Sequence, residues 1–284
     1  MNYRHAFHAG NFADVMKHAL LVRVLCHLRK KETPFRVIDT HAGIGLYDLV
    51  GEEAGRTLEW QSGVARLDER FAPEIEALLA PYRAVLETTR RRHGPRVYPG
   101  SPQIVRELLR RQDRAVLVEL HPADGALLSE RFNAVVNMKV LRLDGWTALH
   151  GLIPPKERRG LVLIDPPYEE VGEFERLVAE LRRAVSKWPT GVYLAWYPIK
   201  DPAEIERVSL SIAQALPRPG LRLELMIERP DDASRLNGCG LFVVNPPWRL
   251  AEEASLLLPA LAERLSRGGY GAYRCEPFGE TVGS

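Results

Sequence analysis

Between Gly160 and Tyr168 the chain reads Gly-Leu-Val-Leu-Ile-Asp-Pro-Pro-Tyr, an apolar run closed by an acid, two prolines and an aromatic ring. The apolar part has the form of a fully buried strand. The prolines cannot continue it, because neither carries an N–H and each fixes φ. The carbonyls of Asp165 and Pro166 are thereby turned from any ladder and need another partner. An Asp oxygen and a backbone carbonyl can accept both hydrogens of an exocyclic NH2, and Tyr168 offers a flat face to the ring that bears it. These residues suit the handling of a planar amine. The plain alternative is a strand-to-loop turn, which short Asp-Pro-Pro strings also make.

A second string, Asn245-Pro246-Pro247-Trp248, also follows an apolar run, so the tetrapeptide alone does not discriminate. Order does. Apolar segments at 35–39, 115–119, 140–144 and 161–165 each end in an acid, and helical patterns separate them. Buried strands alternating with amphipathic helices predict a parallel, doubly wound α/β sheet, with ligands at the carboxyl ends of its strands. Asp39, Glu119, Asp144 and Asp165 are then expected to ring one crevice, unless each merely caps the helix that follows. Together they suit a ligand with hydroxyls, an amine or positive charge. Asn245 comes after two further strand candidates, 192–196 and 221–227, closes a last strand and is expected to serve its turn.

Other segments would complete the crevice. Asp39-Thr40-His41-Ala42-Gly43-Ile44-Gly45 places two glycines where a backbone can approach a nucleoside, or where a turn simply needs them. Asp144-Gly145 by itself is a common turn. Pro99-Gly100-Ser101-Pro102 opens a helix, with Ser101 read as N-cap and Pro102 as first helical residue. Its free N–H groups favour an anion, with plain capping as the alternative. At the N-terminus, Phe12, Val15, Met16, Ala19 and Val22 predict an amphipathic helix from about Asn11, carrying Lys17 and His18 in its first turns. The histidines around it lack metal-ligand spacing, so no metal is expected. A lid in which Tyr3 and these histidines close over a ligand is the better reading, with polar packing as its rival.

The length of 284 residues suits one large domain or two small ones, and a single domain over 1–284 is expected. Residues 46–98 exceed what a crossover needs and read as an inserted helical subdomain. Its helix would carry Ile75, Leu78, Leu79, Tyr82, Val85 and Leu86, broken or kinked near Pro81. The net charge of +2 hides a run of Arg83, Arg90, Arg91, Arg92, Arg96, Arg106, Arg110, Arg111 and Arg114, which favours a phosphate-rich partner. Cys26, Cys239 and Cys275 show no pairing pattern and suit a reducing compartment. No apolar run approaches spanning length, so a cytoplasmic protein without membrane contact is expected.

Asp-Pro-Pro-Tyr resembles the motif of S-adenosylmethionine-dependent amino methyltransferases, which act on adenine N6, cytosine N4 or glutamine amides. The wider order is more specific. Tyr-Arg-His-x-Phe-His-Ala-Gly-Asn-x-Ala-Asp-Val-x-Lys-His at 3–18 is followed by Asp-Thr-His-Ala-Gly, Tyr-Pro-Gly-Ser-Pro, Glu-Leu-His-Pro, Asp-Pro-Pro-Tyr-Glu and Trp196-Tyr197-Pro198. This resembles the bacterial 23S ribosomal RNA adenine-N6 methyltransferase J family from Tyr3 to about Trp248; past Leu250 nothing matches a function. The resemblance implies a Rossmann-like methyltransferase fold with an antiparallel last strand, and S-adenosylmethionine as cofactor. It implies His18, His41, Gly43, Ser101, Glu119, Asp144, Gly145 and Asp165 around the cofactor, with Glu119 on the ribose and Asp144-Gly145 on the adenine. His41 replaces an aromatic residue usual in the first glycine motif.

Asp165, Pro166 and Tyr168 would act on the target amine, with Tyr3 and Lys17 shaping the site and Trp196 or Tyr197 as walls. The implied partner is 23S rRNA, at an unpaired or flipped adenine, and the chain is expected to act as a monomer. The rivals are a DNA or glutamine-amide methyltransferase, which these motifs do not separate, and a non-catalytic RNA-binding protein keeping the fold. A nicotinamide oxidoreductase would leave Asp-Pro-Pro-Tyr unexplained and lacks the full glycine fingerprint.

Overall fold

The computed structural model describes residues 4–216 and 218–279; Tyr3 lies outside them. Elements follow in chain order. A 3-10 turn, His5–Phe7, precedes α1 (Phe12–Leu28) and β1 (Arg36–Asp39). Then come β2 (Leu46–Asp48), α2 (Glu52–Thr57), 3-10 turns at Glu59–Gln61 and Val64–Leu67, α3 (Pro73–His93) and β3 (Val97–Pro99). The alternating part runs α4 (Ser101–Leu108), β4 (Arg114–Val118), α5 (Pro122–Phe132), β5 (Met138–Leu141), α6 (Gly145–Leu152), β6 (Gly160–Ile164), α7 (Glu173–Lys187), β7 (Val192–Ile199) and α8 (Pro202–Ala215). The chain closes with β8 (Gly220–Met226), β9 (Gly238–Val244), α9 (Leu250–Leu265) and β10 (Ala272–Phe278).

The main sheet has the order β10-β8-β9-β7-β6-β1-β4-β5. β5, β4, β1, β6 and β7 pair in parallel, and β9 inserts antiparallel between β7 and β8. The parallel strands are apolar on both faces because helices cover both. Val37, Leu161 and Leu163 pack on one side with α1, α3, α4 and α9, while Ile38, Val162 and Ile164 pack on the other with α6, α7 and α8. This Rossmann-like, doubly wound sheet is the α/β fold expected. Antiparallel character goes further than one last strand, since β10 also pairs antiparallel with β8.

Three expectations need correction. Helix α1 is buried nearly all round rather than amphipathic, because it lies between the sheet and α3, α4 and α9; Asp14, Lys17 and His18 are polar groups inside that packing. Helix α3 continues through Pro81 as one element. Ser101 is the first residue of α4, with Gly100 as N-cap, so its side chain caps nothing. The stretch after β1 opens with β2, which pairs antiparallel with β3, so α2 and α3 rise from the base of a two-stranded ribbon.

Candidate active site

The carboxyl ends of β1, β4, β6 and β7 open into a cavity of about 610 Å³. His18, His41, Gly43, Ser101, Glu119, Asp144, Gly145, Asp165, Pro166, Tyr168 and Lys17 all line it. Two local causes set its shape. Gly43 takes φ +61°, and a Cβ there would stand 2.3 Å from the Tyr47 hydroxyl. At Gly145 a Cβ would stand 2.2 Å from the Thr40 carbonyl and 3.0 Å from the His41 ring. Only glycine permits so close a backbone approach at these positions.

The four acids do not share one role. Glu119 receives the Gly43 N–H and the His121 N–H, each at 2.8 Å, so its carboxylate is oriented by two loops. Burial raises its pKa, and those two bonds oppose the rise. Asp144 lies three residues past β5 and caps α6, accepting from the Thr147 N–H and hydroxyl at 2.8 Å; here capping and cavity lining coincide. Asp39 does not line the cavity. It is wholly buried beneath the floor, and neither oxygen has an aligned hydrogen bond. Burial pushes its pKa up to about 7, with Asp165 adding to the rise and the nearby Ser101 hydroxyl opposing it.

Asp165, just past β6, faces α1. Its Oδ2 accepts from Lys17 Nζ at 2.6 Å, and the same ammonium lies 3.0 Å from Asp14 Oδ1 and 5.8 Å from the centre of the Trp196 ring. Tyr168 holds a left-handed φ of +53°, which swings its ring back against Trp196 and Phe174. Its hydroxyl donates to the Trp196 carbonyl at 2.8 Å. A non-glycine residue at positive φ is strained, and such strain collects at functional turns. Of the two walls expected, Trp196 lines the cavity; Tyr197, the next residue on β7, points to the opposite face and donates to Glu224 at 2.9 Å.

Burial keeps the imidazoles of His18 and His41 neutral. Burial drives His18 down to about 3 and His41 down to about 4, in each case against neighbouring carboxylates. His18 Nδ1 shares a 2.7 Å hydrogen bond with the Tyr98 hydroxyl, which meets Tyr82 at 2.9 Å, so a buried polar chain links α1, β3 and α3. His41 is fixed by the Thr40 hydroxyl at 2.8 Å and packs edge-on against Trp146. His5 and His8 also line the cavity. The segment that holds them is anchored by His5 on Asp14, His8 on Glu59, and Arg4 between Glu53 and Asp124. Among the described residues no group of three or more His, Cys, Asp or Glu could hold a metal ion.

Several lining residues escaped sequence reasoning: Asn11, Asp14, Asp124, Trp146 and Arg176. Asp14 had a readable signal, an acid three residues before Lys17 on one helix. Part of the arginine run is engaged in contacts within the chain. Arg110 is spent on Asp113 and on carbonyls just before β1, and Arg114 begins β4, at the amino ends of the strands and away from the cavity. Arg83 pairs with Glu76 and Arg92 with Glu107.

A doubly wound sheet with β9 inserted antiparallel, glycine turns beneath a nucleoside-sized cavity, and Asp-Pro-Pro-Tyr at its rim define a Rossmann-like methyltransferase. A family model described as ribosomal RNA large subunit methyltransferase D, RlmJ, matches residues 32–277. The chain is 38% identical to ribosomal RNA large subunit methyltransferase J of Escherichia coli strain K12, over 95% of this chain and 96% of that one. It is also 38% identical to the enzyme of that name from Haemophilus influenzae, over 97% and 98%. The crystal structure of protein LPL1258 from Legionella pneumophila superposes with a TM-score of 0.85 at 33% identity, covering 95% of this chain and 98% of that one. The chain belongs to the ribosomal RNA large subunit methyltransferase J family.

Proposed function

We propose that this methyltransferase moves a methyl group from S-adenosylmethionine to the exocyclic N6 of an adenine in 23S rRNA. The observation that carries the reading is the Asp165 to Tyr168 corner, which opens into the same cavity as the glycine turns and Glu119. The cavity suits the cofactor on its own chemistry. Gly43 and Gly145 fold their turns so tightly against Tyr47 and Thr40 that a Cβ would clash, which leaves bare backbone lining the cavity; Glu119 keeps lone pairs for vicinal hydroxyls, and Asp144-Gly145 offers an acceptor and a backbone N–H. His18, His41 and Ser101 complete that wall. When bound, the cofactor supplies an electrophilic methyl on a sulfonium.

The remaining work belongs to the chain. An aromatic amine is a weak nucleophile because its lone pair delocalises into the ring. Accepting its two hydrogens on Asp165 and the Pro166 carbonyl favours the pyramidal nitrogen and the charge it gains in the transition state. Tyr168 and Trp196 hold the base plane in place, which converts an encounter into an aligned approach. The target must be unpaired or flipped, since duplex stacking hides this amine. Tyr3 was expected to join this machinery and lies outside the described residues.

Asp165→Ala tests the reading. In a methyl-transfer assay on 23S rRNA, kcat is expected to fall by roughly three orders of magnitude or more, the scale of losing an oriented acceptor. Cofactor affinity, read by calorimetry, should change much less. Turnover near wild type would end the assignment. Mass spectrometry of rRNA digests from cells lacking the protein should show one N6-methyladenosine missing.

A further inference from the structure

We propose that Asp14 is a positioning residue for methyl transfer: it seats the Lys17 ammonium and offsets its charge, so that Asp165 meets the target amine as an effective carboxylate. This rests on the reading that Asp165 receives that amine. Asp14 itself has no exposed surface and does its work from inside α1. Its Oδ2 accepts from His5 Nε2 and from the Gly10 N–H, both at 2.9 Å, which fixes the carboxylate from the N-terminal segment. Its Oδ1 lies 3.0 Å from Lys17 Nζ yet has no aligned hydrogen bond, whereas the same ammonium makes an aligned bond to Asp165 Oδ2. A buried acceptor with unused capacity is costly. This one stands beside an ammonium that must yield part of Asp165 to an incoming amine. Turning the ammonium toward Asp14 satisfies both.

Charge gives a second, independent reason. Lys17 and Asp165 alone form a neutral pair, which offers little to a nitrogen becoming cationic. With Asp14 the three groups carry one net negative charge. His18 and His41, held neutral by burial, add no charge, while His5 meets the far oxygen of Asp14 and offsets part of this excess when protonated. Burial alone would raise the Asp14 pKa, but His5 and Lys17 hold it well below the usual carboxylate range, so the charge is present throughout the working pH range.

The test compares Asp14→Asn, Asp14→Glu, Lys17→Met and the Asp14→Asn/Lys17→Met double variant. Each is assayed on 23S rRNA from cells lacking the protein, with cofactor affinity and thermal midpoint measured alongside. For Asp14→Asn, kcat should drop about 100-fold, the size of losing one preorganised charge, with cofactor affinity within about threefold of wild type. Asp14→Glu, which keeps the charge, should retain at least about ten times the Asn rate. Adding Lys17→Met to Asp14→Asn should cost nothing more, because the uncompensated cation is gone. The proposal is overturned if Asp14→Asn keeps wild-type kcat, if the two single losses multiply in the double variant, or if Asp14→Glu is as slow as Asn. A wild-type protein that methylates no adenine would sink the substrate reading, and the positioning role with it, a failure told apart from the others because wild type itself is inactive.

Discussion

Asp39 is a carboxyl group stranded below the cavity floor, and its cost is measurable. Its folded pKa of about 7 stands above its ordinary value near 3.8, so the folded state holds the proton more tightly than the open chain does. Stability from this group is full below about pH 4 and is lost as the pH rises through about 7. Asp39→Asn should therefore stabilise the cofactor-free protein at pH 8, by something on the order of 2–4 kcal/mol, with the gain shrinking toward pH 5; denaturant melts at both pH values check this. Gly145→Ala meets a different obstacle, a backbone carbonyl 2.2 Å away. It should lower stability by about 1–3 kcal/mol and weaken cofactor binding in calorimetry. At this scale the sequence was informative where residue type dictates conformation, as at Gly43, Gly145 and the proline corner. It was silent on which acids face the cavity, because Asp39 and Asp165 end adjacent strands in the same way and only packing separates them.

The elements between β1 and α4 reach the site at several points, through Tyr47 beside Gly43, Glu59 on His8 and one buried thread. Tyr82 of α3, Tyr98 of β3 and His18 of α1 form a hydrogen-bonded row inside the core. Tyr98→Phe removes the link that both neighbours share and leaves the His18 Nδ1 unsatisfied. It should cost about 1–3 kcal/mol in denaturant melts and reduce turnover more than Tyr82→Phe does. Seven apolar strands were legible as buried runs, and α1, α3 and α4 as helical patterns. The three-residue strands β2 and β3 were not, being too short to show a period. Strand β10 carries Arg274, Glu276 and Pro277 and pairs along one side only, so it has neither the apolar run nor the alternation that marks a strand. Helix α1 misled because its polar residues point into a buried site instead of toward water.

At the level of the whole chain, the described residues after Leu250 bind the molecule together and do not line the cavity. Glu253 of α9 pairs bidentately with Arg23 of α1, and Arg264 packs on Phe71 while holding carbonyls of the inserted segment. Strand β10 covers the edge of β8, where Phe278 fills the space beside Gly220. A chain ending at Gly271 would leave that edge bare, and unpaired edges recruit other chains. It should elute as oligomers or aggregate in size-exclusion chromatography, whereas the full chain is expected to run as a monomer.

Strand direction also separates the two Pro-Pro strings. Because β9 runs against β6, Asn245 emerges at the far rim, where its amide donates to the carbonyls of Pro189 and Gly191 at 2.9 and 2.7 Å and ties a loop. A tetrapeptide is thus chemically mute until topology tells it which way to look. Writing Asn245→Asp and Trp248→Tyr into the Asp165→Ala variant would complete the signature letter for letter and should restore no methylation, since the cavity lies at the opposite end of the sheet.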